Sequence, residues 1–270
     1  MQIQMKISYT EEQLQRALNF INERLSLQRS SIKEVNSIIK KASESIVKIS
    51  YKYKIEPRMF QFSSNKKLNF EVDEILSNLL DDLFETISNY CFYNIEKRED
   101  KILVNSMLNE KFKGANIEER LNNYVARFKT EIEPIIAAAL YLGFNSRKTS
   151  EYINRYITNL QNSKLANIAN KESFVSNSNN KIRIGRGYSK SSYKNIERIA
   201  IDYVARVRQK LFIKKEETEY KTNAWYVMRG SSYPCGLCDS EVGIHSSDID
   251  LPPYHPRCCC LAIPIKIDKI

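Results

Sequence analysis

Residues 233 to 260 read YPCGLCDSEVGIHSSDIDLPPYHPRCCC and hold five of the chain's six cysteines and both of its histidines. Thiolate and imidazole are the donors that a borderline-soft cation selects, so this concentration points to metal chemistry. Cys235 and Cys238 are spaced C-x-x-C, with Gly236 expected to let the backbone turn so that both thiols face one point. His255 and Cys258 form H-x-x-C further on. Two short-spaced pairs joined by a loop of this length make a tetrahedral Zn²⁺ site, for which Cys235, Cys238, His255 and Cys258 are the candidate ligands. In an extended chain Cys258 and Cys260 point one way and Cys259 the other, so Cys260 competes with His255 or Cys258 as the fourth ligand. His245, beside Ser246, Ser247 and Asp248, reads as a solvated loop residue.

A closed site of four protein ligands leaves no position for water or substrate, and its expected work is to hold loops together. Residues 233 to 257 offer little apolar material, so zinc would contribute folding free energy that burial cannot, on the order of 10 kcal/mol. Pro252 and Pro253 stiffen the return toward His255 and reduce the entropy lost when the loop closes. Catalytic alternatives lack parts. Pro234 to Cys238 matches the P-C-x-x-C half of a zinc deaminase, but both histidines lie downstream and neither begins H-x-E. A ββα-metal nuclease needs a further metal-binding residue on a following helix, and only His245 is spare. Glu217 and Glu219 give the E-x-E of an ADP-ribosyltransferase, yet within KKEETEYK they read as a charged helix end. The expectation is a chain that is not an enzyme and takes no small-molecule substrate.

The elements that must position these donors are mostly helices. Thr10 and Gln13 form a capping-box pattern, and Leu14, Leu18, Ile21 and Leu25 follow at helical spacing. Ile32, Val35, Ile39, Ala42, Ile46 and Ile49 continue that rhythm to about Lys52, as one long helix or two in series, with Pro57 beyond the end. An amphipathic run over 70–95 places Cys91 beside its apolar stripe as a small buried hydrophobe. A further helix over Ile117 to Ala139 contains Pro134, which should kink it, and closes at Gly143. A shorter one covers Tyr152 to Leu160. Residues 161–192 are rich in Ser and Asn without apolar periodicity, the composition of a linker or loop. Ile196 to Leu211 then form a last helix, and Trp225 to Val227 a short strand that leads into the cysteines. These readings give a mainly α chain: an elongated helical domain over 1–170, a linker over 171–192, and a small α+β zinc-binding domain over 193–270.

Composition sets further bounds. The 270 residues are 42% hydrophobic and 27% charged, ordinary for a folded chain, and only seven are glycine, which favours long helices over a turn-rich β fold. No apolar run reaches the length of a membrane span, and MQIQMKISYTEEQ is no secretory signal, so the cytosol is the expected compartment and the cysteines are expected to be thiols or ligands. Net charge is +10. The excess gathers in a basic segment over 181–215, where Lys181, Arg183, Arg186, Lys190 and Lys194 are the candidate contacts to a polyanion such as double-stranded DNA.

From about Ile196 onward, the order of a helix, Trp225, C-x-x-C, then PPYHPRCCCLAIPI resembles the C-terminal domain of phage Mu F-like minor head proteins, also called phage head morphogenesis proteins. That family's ending usually reads PPxHPNCRC; this chain has Arg257 for the Asn and Cys259 for the Arg, while Cys235, Cys238, His255, Cys258 and Cys260 match motif positions and Gly243 corresponds to a family glycine. The resemblance covers a quarter to a third of the chain. It implies a minor capsid component of a tailed phage or prophage, acting in head morphogenesis at the portal and in DNA packaging or delivery. Such a protein would sit in the virion head, and in the bacterial cytoplasm during assembly. Its partners would be the portal and other head proteins, with packaged DNA facing the basic segment and no membrane involved. The alternative is a DNA-binding zinc module of a mobile genetic element.

Overall fold

A computed structural model describes residues 9–111, 114–172, 189, 191–246, 251–255 and 257–267. They are mainly helical, with one small antiparallel sheet near the C-terminal end, in keeping with the fold class read from the periodicities. Backbone contacts group the chain into two units: Met1–Ser31, Asn89–Leu108 and Ala200–Ile270 form one, Ile32–Ser88 and Asn109–Ile199 the other. Of the linker expected at 171–192, residues 173–188 and 190 lie outside the described residues.

The first unit opens on the predicted capping box. The Gln13 N–H donates to Thr10 Oγ1 at 3.2 Å and the Thr10 N–H to Gln13 Oε1 at 2.7 Å. Helix α1, Glu11–Ser50, then runs 40 residues without a Gly or Pro to break it, so the choice between one helix and two falls to one. Cys91 ends α2 (Lys66–Cys91) and is wholly buried, as its place beside the stripe suggests. Burial pushes its thiol up to about 12. Helix α3, Arg98–Asn109, has no strong apolar rhythm and the sequence does not single it out; only Val104 and Leu108 are buried.

Three strands complete this unit, β1 (Ala224–Met228), β2 (Gly243–Ser246) and β3 (Leu261–Ile265), in the order β2-β1-β3 and antiparallel throughout. Trp225 stands opposite His245 on one side and Pro264 on the other. Pro264 has no N–H to give, which an edge strand tolerates. The sheet buries against residues of α1 and of the helix before β1. Phe20 stacks on Phe212 at 4.2 Å, Phe212 meets the fully buried Trp225 at 5.8 Å, and Ala17 joins Ala224, Ile263 and Ile265 in an adjoining cluster. Arg16 grips Glu216 through two bonds of 2.8 and 3.0 Å, a fork-to-fork geometry that sets the direction as well as the distance.

The regular elements described in the second unit are all helices. Besides parts of α1 and α2 it contains α4 (Ile117–Tyr141), α5 (Ser146–Tyr156), α6 (Lys164–Lys171) and the start of α7 (Ser192–Glu219). Asn116 and Glu119 cap α4 reciprocally, the Glu119 N–H donating to the Asn116 side chain at 2.9 Å. The helix continues through Pro134 and buries Leu121, Val125, Phe128, Ile132, Ile135 and Ile136. It ends in a Schellman turn, with Gly143 at φ +68° and the Phe144 N–H donating to Ala139 O at 2.9 Å, so the expected stop at Gly143 holds. Helix α6 corrects the linker or loop reading of 161–192 for residues 164–171. Ser163 caps it through the Ala166 N–H at 3.3 Å, and Leu165, Ala166 and Ala169 are buried. A helix of two turns needs only three inward residues, too few to stand out among Ser and Asn.

Buried within this unit, Glu131 accepts from the Ser192 hydroxyl at 2.5 Å and the Ser192 N–H at 3.1 Å, and pairs with Arg127 at 3.0 Å. It thereby caps the N-terminus of α7 from another helix. Burial pushes its carboxyl above the ordinary carboxylate range, against the pull of Ser192 and Arg127.

Candidate metal centre

The site is built from two turns and a strand end. Cys235 precedes a single helical turn, α8 (Gly236–Asp239), closed by the Asp239 N–H donating to Cys235 O at 2.8 Å. The Cys238 N–H and side chain, helped by the Leu237 N–H, hold the Cys235 thiol below its usual range, the direction a metal-binding thiolate needs. Gly236 plays no special part, since its φ is not positive and nothing lies within 4 Å of where a Cβ would sit. The turn is a helical one that most residues could make.

The second half enters through a turn closed by the Cys258 N–H donating to His255 O at 3.0 Å. Arg257 takes φ +64° there, in the left-handed region that Asn or Gly occupies more easily. The Pro252–Pro253 peptide is cis. Beyond the turn Cys258 and Cys260 are buried, at 1% and 3% exposure, while Cys259 is only half-buried, which is the alternation expected of an extended chain.

The five candidate donors fall into two groups that meet at Cys238. Two triads share it: Cys235, Cys238 and His255, and Cys238, Cys258 and Cys260, each with its donor atoms within 4.8 Å of one another. A tetrahedral zinc site needs neighbouring sulfurs ~3.8 Å apart and sulfur and nitrogen ~3.5 Å apart, from its bond lengths. Cys238 and Cys258 at 3.9 Å, and Cys235 and His255 Nε2 at 3.4 Å, already fit. His255 Nε2 lies 2.9 Å from Cys238 Sγ, a hydrogen-bonding separation, so the ring must back away by about half an ångström to share an ion with it. The donor set, its burial and its spacing fit a metal ion, and this Cys/His cluster could hold one.

Two supporting residues escape a motif search. Gly230 lies so close to the next turn that a Cβ would sit 1.7 Å from the Cys259 carbonyl oxygen. Burial, then the charge of Cys258, raises the Cys260 thiol, with the Gly230 N–H pulling the other way. The Cys238 thiol is also pushed up, first by burial and then by its thiol neighbours. Arg24 is the second such residue. It is fully buried, donates from Nη2 to the Cys258 carbonyl at 2.8 Å, and burial lowers its pKa while negative charge on Cys258, Cys259 and Cys260 opposes that shift. A lone glycine and an arginine over 200 residues upstream carry no local signal.

His245 is not part of the centre. It lies in β2 rather than in a loop, and its Nε2 donates to the Glu241 carbonyl at 2.7 Å. Gly243, at φ +140°, starts that strand in a conformation open to glycine. Elsewhere in this unit, a cavity of about 820 Å³ is walled by charges that already pair with each other, including Lys97 with Glu219 and Lys214 with Asp100.

The basic segment is only partly visible. Lys181, Arg183, Arg186 and Lys190 lie outside the described residues. Lys194 pairs with Glu197 at 3.1 Å, and further along α7 Arg206 pairs with Asp202, and Arg208 with Glu23. Charge counted along the sequence therefore overstates what the described part of α7 presents to a partner. Among the described residues no helix is long and apolar enough to cross a membrane. Comparison with protein-family models, with curated proteins and with solved structures finds no match to this chain.

Proposed function

We propose that the chain is a structural protein of a tailed-phage or prophage head, fastened at its C-terminal end by one zinc ion held by four of the five clustered donors. The convergence of both motif halves on Cys238 carries this reading, because the positions that gather there are the ones on which the resemblance to minor head proteins rests. Cys235, Cys238, His255 and Cys258 are the proposed ligands, with Cys260 as the alternative for one of them. Zinc held this way supplies cross-links between the two turns. A closed set of protein ligands leaves it no open position for chemistry, which favours assembly over catalysis.

Metal analysis of the purified protein tests the first half of this proposal. One zinc per chain in the wild type, and none in Cys235→Ser, is the expected result. The role in the head is tested by mass spectrometry of particles from an induced lysogen. Peptides of this chain at low copy in purified heads, lost when the gene is deleted along with particle yield, are expected; their absence from particles defeats the assignment. Contact with DNA remains a proposal for Lys181, Arg183, Arg186, Lys190 and Lys194. Affinity in a filter-binding titration should fall steeply with salt as counterions are released, and a flat response removes it.

A further inference from the structure

Arg24 presents a charge problem. Its side chain is fully buried, and a guanidinium stays protonated even there, so it needs negative charge nearby. No carboxylate supplies it among the described residues: Nη1 donates to the neutral Gln209 Oε1 at 3.3 Å, Nη2 to the Cys258 carbonyl at 2.8 Å, and Nε has no acceptor. Gln209 Nε2 is a second buried donor without a partner. The segment that meets its guanidinium is the Cys258 turn, through that carbonyl.

Cysteines ligate metals as thiolates. Three thiolates and an imidazole around a divalent cation sum to one negative charge, and a fourth thiolate in place of the imidazole adds another. A buried anionic centre is as unfavourable alone as a buried guanidinium, and each answers the need of the other. Resting on the metal reading above, we infer that Arg24 is the buried counter-charge of an anionic metal–thiolate centre, and that it positions the Cys258 turn by holding its carbonyl. The residue is thus a positioning residue that acts through electrostatics and one hydrogen bond, and it ties α1 to a centre whose ligands all lie more than 200 residues later.

The test uses the full chain and zinc itself, in competition with a chromophoric chelator. Arg24→Gln, which keeps a donor but no charge, should weaken zinc binding about 10- to 100-fold, the usual effect of removing a group that supports metal ligands. Arg24→Lys, which keeps the charge, should recover most of that affinity. Gln209→Glu makes an independent check with nearly no change of shape. It gives Arg24 a carboxylate partner in the zinc-free protein and adds negative charge beside the centre, so zinc binding should weaken while the zinc-free protein melts at a higher temperature. The inference is overturned if Gln209→Glu binds zinc as the wild type does, or if Arg24→Gln and Arg24→Lys lose affinity equally, since hydrogen-bond geometry alone then explains Arg24. A wild type that binds no zinc at all defeats the metal reading, and this inference with it.

Discussion

Around Phe128 in the helical unit, order comes from many modest contributions: Leu121, Val125, Ile132 and Ile135 are buried beside it on α4, and reciprocal caps satisfy the helix start. Between Gly230 and Cys260 the buried side chains are mainly thiols, the helix is a single turn, and Tyr233, Leu237 and Val242 are exposed. Area-based stability is spread over many residues and degrades gradually when one is lost. Stability that comes from a few bonds to one ion is lost all at once. A short segment can therefore hold a defined shape without a core of its own, provided that its donors are complete.

Under the proposed zinc binding, the largest effect expected from breaking this contrast is metal removal. Chelation, or Cys238→Ser at the shared donor, should forfeit a contribution on the order of 10 kcal/mol to the C-terminal segment. Limited proteolysis should then cut within 229–260, while circular dichroism shows α4 and its neighbours still helical. Phe128→Ala should do the opposite, destabilising the helical unit by about 3–5 kcal/mol in chemical denaturation and leaving the zinc stoichiometry unchanged.

Glu131 sharpens the comparison, since it is a buried polar group without a metal. Glu131→Ala removes the acceptor of the Ser192 hydroxyl and breaks the pair with Arg127, and should cost about 1–3 kcal/mol by the same measurement. Its pH dependence has a definite sign. Because the folded carboxyl titrates above its ordinary 4.5, the folded state keeps a proton that the unfolded chain releases, and stability from this residue falls as pH rises from there toward the folded value. Melting temperatures of the wild type should decline relative to Glu131→Gln across that window; parallel curves would refute the assignment. The smallest effect is a gain. Arg257→Asn, which places the resembled family's usual residue at φ +64°, should stabilise the Cys258 turn by about 1 kcal/mol, read as a higher melting temperature of the zinc-loaded protein.

Much of this was legible in the chain. The stripes of α1, α2 and α4 stand out because a helix that buries one face must repeat apolar residues at its own period. The Thr10–Gln13 cap and the Gly143 stop are local devices with local signatures, and so is the Asn116–Glu119 pair, whose N-x-x-E spacing was there to be read. Helices α3 and α6 and strand β2 were not legible, because each buries too few residues to create a period.

The candidate centre divides in the same way. Residue type and spacing alone determine that Cys235, Cys238, His255, Cys258 and Cys260 are soft donors in short-spaced pairs, since ligand chemistry belongs to the side chain. That Cys238 belongs to both triads, that Gly230 must lack a Cβ where it meets Cys259, and that Arg24 brings its charge to the Cys258 turn were decided by tertiary structure. Those facts depend on distances between stretches far apart in the chain, and only packing sets such distances.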